Sequence, residues 1–241
     1  MEKFYYDFHI HSCLSPCADN DSTPHNIAGM AALCGLNIVA LTDHNSTKNC
    51  PAFFAAAKKQ GIIPIAGMEL TTSEDIHVIC LFEELSAAME FDKMLDGYRI
   101  PIKNRPEIFG DQLVIDEDER VIATENNLLI SSTNISVDAV PSLVASYGGI
   151  SYPAHIDRAS GGIVAVLGTF PDIKGYNCYE LNDKSRLVDY KNLKVLESKR
   201  MLVGSDAHNL ADIKEKENFF ELESEPYSSA LIRKRLFEYL R

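Results

Sequence analysis

Hydrophobic and polar positions recur with two different periods along the chain, and each change of period marks an element. Phe4 to Ile10 is aromatic and β-branched and predicts a strand. Thr23-Pro24 then supplies a cap and a first-turn proline. Ile27, Met30, Ala31 and Cys34 follow at helical spacing, with Cys34 on the core side, and Gly35 stops the helix. Leu36 to Thr42 is a continuous apolar run, the mark of a strand buried on both faces. Pro51 to Gln60, closed by Gly61, predicts a second helix, and Ile62 to Ala66 and Ile76 to Phe82 predict two further strands. Leu85, Ala88, Met89 and Leu95 mark a third helix.

The rhythm breaks between about 98 and 135, where Pro, Gly and acidic residues mix with short apolar runs. This segment predicts an inserted β-hairpin or small lobe, with Asp116 to Arg120 as its exposed turn. The pattern resumes with a helix inside Ser136 to Tyr147, which Pro141 starts or kinks. Strands are expected at Gly149 to Tyr152, Tyr176 to Leu181 and Met201 to Val203, and a last helix at Ser229 to Leu240. Strand–helix alternation over most of residues 1–241 predicts one α/β domain. Its strands would be parallel and its helices covering, open or closed into a barrel.

Composition narrows the class. With 46% hydrophobic and 24% charged residues among 241, the chain is an ordinary globular one and not a disordered one. A net charge of −12 repels a nucleic-acid backbone at long range and argues against a nonspecific DNA coat or a polybasic membrane binder. No apolar run approaches the roughly 20 residues of a membrane span. The first residues carry charges and no cleavable apolar core, so a cytoplasmic setting is expected. The six cysteines form no CxxC pair, which fits reduced thiols rather than disulfides.

The histidines carry the chemistry. Six of the seven stand at His9, His11, His44, His77, His155 and His208, each in or just past the C-terminal end of an expected strand; only His25, on the first helix, lies elsewhere. In a parallel α/β fold those ends converge on the face where ligands gather. Glu69 ends the third strand in the same way. His9 and His11 are i and i+2 on a strand and project to one face, so the two imidazoles can share a cation. Asp206 and His208 repeat that spacing. Ser205, Asp206 and His208 are too close in sequence to line up as nucleophile, base and orienter. Motifs for phosphate-loop, dinucleotide, HExxH and GxSxG chemistry are absent.

In this order and spacing, His9-x-His11, Thr42-Asp43-His44, Glu69, His77, Ala154-His155 and Asp206-x-His208 resemble the PHP family, the polymerase and histidinol phosphatase domain. The resemblance implies a distorted seven-stranded (βα) barrel, two to three divalent metal ions (zinc, manganese or iron), and phosphoester hydrolysis. It implies that His9, His11, Glu69 and Asp206 hold one metal, with Glu69 bridging to a second held by His77 and His155. His44 and His208 would hold a third, with one residue from the loop after His11. The family's usual Asp or His in that loop is replaced by Pro16 and Cys17, and counting back from Pro24 lands on Asp19 instead. Cys17 would favour zinc; Asp19 would suit manganese or iron equally well. Arg158, three residues past His155, is the candidate for a substrate phosphate beside the catalytic Glu69 and Asp206, and Asp43 the candidate for orienting a histidine.

Metal ions lower the pKa of bound water from 15.7 toward about 7, which supplies the hydroxide that phosphoester hydrolysis needs at neutral pH. The leading expectation is therefore hydrolysis of a small phosphorylated substrate, a nucleotide or sugar phosphate, by metal-activated hydroxide. A PHP-type nuclease acting on DNA or RNA ends is the enzymatic alternative, against which the acidic surface stands. A non-catalytic metal-binding regulatory domain is the third reading.

Overall fold

A computed structural model describes residues 1–241. Strand β1 (Glu2–Asp7), helix α1 (Pro24–Leu33), β2 (Ile38–Leu41), α2 (Cys50–Lys59) and β3 (Ile63–Thr71) alternate, and β1, β2 and β3 pair in parallel. Strand β4 (His77–Phe82) departs from the all-parallel expectation and runs antiparallel to β3. Only residues 72–76 separate the two strands, enough for a hairpin but not for a crossover. Helix α3 (Leu85–Leu95) follows. The segment from 98 to 135 holds a short helix α4 (Pro106–Phe109) and a two-stranded hairpin of β5 (Leu113–Ile115) and β6 (Val121–Thr124). Asp116 to Arg120 form its turn, closed by Asp116 N donating to Arg120 O at 3.0 Å.

Helix α5 (Val140–Ser146), with Pro141 in its first turn, leads into β7 (Gly149–Pro153), which pairs antiparallel with β4. Then come the short helix α6 (Ile163–Leu167), β8 (Cys178–Leu181), β9 (Arg200–Val203), β10 (Phe219–Leu222) and α7 (Ser229–Leu240). The main sheet is a curled one of six strands in the order β10-β1-β2-β3-β4-β7. Strands β8 and β9 form a separate parallel pair. Isolated bonds tie that pair to the sheet on both sides: Ile156 N to Glu180 O, His11 N to Ala207 O, and Ala207 N to His9 O. The short elements α6 and β10 were not expected; Phe219–Leu222 is too brief, between charged flanks, to show a period.

The period of two explains the core. Val39, Leu41, Met68 and Leu70 face the covering helices in one cluster, while Ile38, Ala40, Ile63, Ile65, Ile79, Leu81 and Tyr152 fill the concave face in another. Burial on both sides is why β2 reads as an unbroken apolar run. Helix α7 closes one end of the concave face with Ile232, Leu236, Phe237 and Leu240. Its contacts, Cys178 Sγ to Leu240 O and Arg233 Nε to Glu83 O, are at the start of β8 and just past β4. The opposite end is left to polar residues. Cys34, expected in the core, is only half-buried and points its thiol at Ile213 O.

Candidate metal centre

The inward positions of β3 run Ile63, Ile65, Gly67 and Glu69, so the alternation that builds the apolar layer also carries Glu69 onto the concave face, 1% exposed. His77 opens β4 rather than ending it. It reaches the same rim because β4 is reversed, and it continues the inward series of Ile79 and Leu81. The ladder of β1 stops at Asp7, whose carboxylate accepts His9 N at 3.2 Å. Beyond this break His9 and His11 sit on the polar cluster while Ile10 packs outward.

Five imidazoles surround the Glu69 carboxylate. Oε1 lies 2.9 Å from His77 Nδ1, 3.0 Å from His155 Nε2 and 3.3 Å from His9 Nε2; Oε2 lies 3.0 Å from His44 Nδ1 and 3.3 Å from His11 Nε2. Asp206 Oδ1 is 3.2 Å from His9 Nε2 and 3.3 Å from His11 Nε2, and those two nitrogens are 3.1 Å apart. Arg158 Nη1 reaches Asp206 Oδ2 at 2.5 Å while remaining half exposed. His208 Nδ1 turns back onto its own loop at Asp206 O, 2.9 Å away.

The tautomers follow from the other ring nitrogens. His9 Nδ1 donates to Glu180 Oε1 at 2.7 Å, which leaves Nε2 with a lone pair. Ser15 Oγ donates to Asp43 Oδ1 at 2.7 Å, so it accepts from His11 Nδ1 at 3.0 Å, and His11 Nε2 is likewise a lone pair. When both rings are neutral, two lone pairs and two carboxylates converge on one point, an arrangement that repels itself unless protons or a metal cation stand between. His9 Nε2, His11 Nε2 and Asp206 Oδ1 stand 3.1–3.3 Å apart, close to the edge, about 3.3 Å, of a tetrahedron with metal–ligand bonds of 2.0–2.1 Å. His44 Nδ1 is buried without a well-directed hydrogen bond, and the buried Asp206 oxygens meet only ring nitrogens and the Arg158 guanidinium, as ligands lacking their ion would. Three sets of donors come together within 4.8 Å: His9, His11, Glu69 and Asp206; His44, Glu69 and His77; His11, His44 and His208.

Burial opposes charge throughout the cluster, and neighbours decide the balance. Burial works against a charged His9, but the Glu180, Asp206 and Glu69 carboxylates hold it well above the ordinary histidine range. His11 ends at about 9, its burial outweighed by hydrogen bonds to Asp206 and Glu69. Burial takes His44 down to about 3 and His208 to about 4, in both cases helped by the neighbouring His11. Glu69 is held well below the carboxylate range: burial raises it, and His77, His9 and His44 more than reverse that. A cation entering here displaces protons from His9 and His11.

Backbone conformation also bears the cost of the site. His155 and Asp206 take φ of 21° and 53°, unusual for residues with side chains. A Cβ on Gly204 would lie 2.5 Å from Glu180 Oε2 and 2.8 Å from His9 Cβ, so glycine is what lets β9 approach.

Cys17 and Asp19 belong to none of the three donor sets. Cys17 is exposed, yet its thiol stands in a crowded, anionic setting; lost solvation and then the Glu69 carboxylate push it up to about 12. Asp19 is exposed and uses Oδ1 to accept Asp21 N at 3.2 Å in its own turn. Asp43 accepts from Ser12 N, Ser12 Oγ and Ser15 Oγ. His25 stands apart, 3.8 Å from Glu119 on the hairpin turn. Glu180 and Ser15 were missed. Glu180 had a signal: it is the one charged residue in the buried strand Cys178–Leu181. Ser15 had none beyond its closeness to His11.

A PHP domain profile matches residues 7–159. An error-prone DNA polymerase of Symbiobacterium thermophilum is 36% identical over 77 residues, 32% of this chain and 7% of that one. The chain spans a tenth or less of the curated polymerases it matches. Among solved structures, the lesion-specific endonuclease Q of Pyrococcus furiosus covers 97% of this chain and 55% of its own length, at a TM-score of 0.65 and 20% identity. Endonuclease Q holding a 27-mer duplex with an abasic lesion covers 100% of this chain and 57% of its own, at TM-score 0.69 and 20% identity. A protein described as a metal-dependent phosphoesterase from Bifidobacterium adolescentis covers 96% of this chain and 95% of its own, at TM-score 0.60 and 16% identity. At such identities the likeness is one of fold.

Proposed function

The chain belongs to the PHP domain family, and from that premise we propose that it is a metal-dependent phosphoesterase working at the cluster around Glu69. The observation that carries this reading is the single buried carboxylate ringed by five imidazole nitrogens at 2.9–3.3 Å. Two to three divalent ions (zinc, manganese or iron) fit the donors; when bound, they lower the pKa of water and neutralise phosphate oxygens. His9, His11, Glu69 and Asp206 would hold one, Glu69 with His77 and His155 a second, and His44 with His208 a third.

The chain's own residues do the rest. Glu180 and Ser15 fix His9 and His11 in the tautomers that present Nε2 inward. Glu69 and Asp206 supply the negative charge that retains cations in a protein already at −12. Arg158, half exposed at the rim, swings its guanidinium from Asp206 to a substrate phosphate, where a planar fork matches phosphate oxygens. In the same reading residues 1–241 act as one PHP-type domain, with β1, β2, β3, β4 and β7 closed through β8 and β9 into a distorted seven-stranded barrel. All six cysteines are free, which suits a cytoplasmic setting, and no helix is long and apolar enough to cross a membrane.

The substrate is read as a small phosphorylated molecule, a nucleotide or sugar phosphate, because the surface is acidic. The coverage of the whole chain by endonuclease Q favours a second reading, a nuclease. Phosphate release from a panel of sugar and nucleotide monophosphates, run beside single- and double-stranded oligonucleotides with added Mn²⁺, separates them. Turnover of monophosphates alone supports the first, oligonucleotide cleavage the second. Neither, from metal-loaded protein, returns the chain to the role of a non-catalytic metal-binding domain.

A further inference from the structure

Asn49 stands at the N-cap position of α2, where an asparagine side chain ordinarily caps the helix, yet it makes no cap bond. It is fully buried, and all its side-chain hydrogen bonds go elsewhere. Its Nδ2 donates to Leu113 O at 3.0 Å and to Ser12 Oγ at 2.9 Å, and its Oδ1 accepts Ile115 N at 2.9 Å. Leu113 and Ile115 are the two ends of β5, so one amide holds the inserted hairpin to the loop that follows His11. Leu113 N adds a bond to Cys13 O at 2.8 Å, and Gly110, at φ 96°, lies so close to the Pro16 carbonyl that a Cβ would collide with it.

From Asn49 the bonds run unbroken to the metal donors. Ser12 Oγ, which accepts from Asn49, donates to Asp43 Oδ2 at 2.7 Å, and Ser12 N donates to Asp43 Oδ1 at 2.7 Å. Asp43 Oδ1 also accepts Ser15 Oγ, and Ser15 Oγ accepts from His11 Nδ1 and from His44 N at 3.1 Å. Every member is 2% exposed or less, so water cannot substitute for a lost link. We propose that Asn49 is a positioning residue for the metal centre: through Ser12, Asp43 and Ser15 it makes the 98–135 insertion the anchor that sets the placement of His11 and His44. The insertion is then a fixed wall of the site rather than a lobe that opens. This rests on the metal-centre reading above.

Gln112 provides the matched control. It is also fully buried and makes three bonds to backbone, to Glu125 O at 2.9 Å, Asn127 O at 2.8 Å and Leu129 N at 2.8 Å, but all of them stay within the insertion. The experiment titrates the metal-free full chain with Co²⁺, followed by visible absorption and by competition with a chelator. Asn49→Ala is expected to shift the absorption band and weaken the least tightly held cobalt by about tenfold, the lower end of what losing an outer-shell partner does. Gln112→Ala should lose comparable thermal stability while its cobalt spectrum and affinity stay those of the wild type. Should Asn49→Ala not fold, Ser12→Ala decides, because it cuts the relay while leaving both Asn49 bonds to β5. The proposal is overturned if the folded relay variant binds cobalt as the wild type does, or if Gln112→Ala shifts the spectrum equally. Wild-type protein that takes up no cobalt overturns this proposal and the metal reading together.

Discussion

Replacing Glu69 by glutamine tests the centre at its most connected point. The change keeps side-chain volume but removes the charge that five imidazole nitrogens approach at 2.9–3.3 Å. It also turns one acceptor oxygen into an NH₂ donor. If the amide oxygen faces His77, His155 and His9, the NH₂ meets His44 Nδ1 and His11 Nε2; the reverse choice sets it against the other three. Neither orientation leaves both sides able to hold a cation. A hydrogen bond to a charged group is worth about 1.5–3 kcal/mol, or about 10- to 150-fold in rate, and removing the Glu69 charge weakens several such interactions at once, so the losses compound. Glu69→Gln should therefore lose at least about 10²-fold in kcat under saturating Mn²⁺, measured as phosphate release from whichever substrate the panel identifies. Circular dichroism of the variant should remain that of the wild type. Rates within a few-fold of wild type would refute the reasoning and move the chemistry away from β3.

Glu180→Gln keeps the volume and an acceptor for His9 Nδ1 but removes the charge, and should lower metal affinity by about tenfold in chelator competition, with an unchanged affinity refuting it. Arg158→Ala should raise KM for a phosphate ester about tenfold, as expected for losing a charge-assisted bond, while metal content stays constant; a fall in metal content instead would make Arg158 a partner of Asp206 only. Cys17 and Asp19 are separated by alkylation mass spectrometry. If Cys17 is a ligand, metal shields it, and in chelated protein, with its thiol pushed up to about 12, alkylation should rise about tenfold per pH unit from pH 8 to 10. Equal rates with and without metal, together with metal loss in Asp19→Asn, would assign the loop to Asp19.

The helix and strand alternation was legible wherever one period persisted for several residues, as in Leu36 to Thr42 and Ile76 to Phe82. The reversal of β4 was not, because strand direction depends on the length of residues 72–76 and not on any pattern within the strand. That reversal is also why His77 opens a strand yet shares the rim with Glu69. Histidines and acids that recur at strand ends are visible in a sequence because each stands in an apolar run. Glu180 stood in such a run too, as the one charged residue of Cys178–Leu181, but without a histidine beside it that signal marked burial and not a role. Ser15 and Asn49 were illegible for a different reason: small polar residues are ordinary in loops, and only the fold shows which hydroxyl or amide faces a ligand. The PHP resemblance could be read from motif order, whereas the sheet's curl and the separate β8–β9 pair come from tertiary pairing alone.

Elemental analysis of the protein, purified without chelator, tests the central claim most directly. The donor sets around Glu69 predict between two and three equivalents of transition metal per chain, chiefly zinc, iron or manganese, reduced by at least about one in Glu69→Gln. Wild-type protein carrying well below one equivalent, and gaining none on dialysis against Zn²⁺ or Mn²⁺, would contradict it.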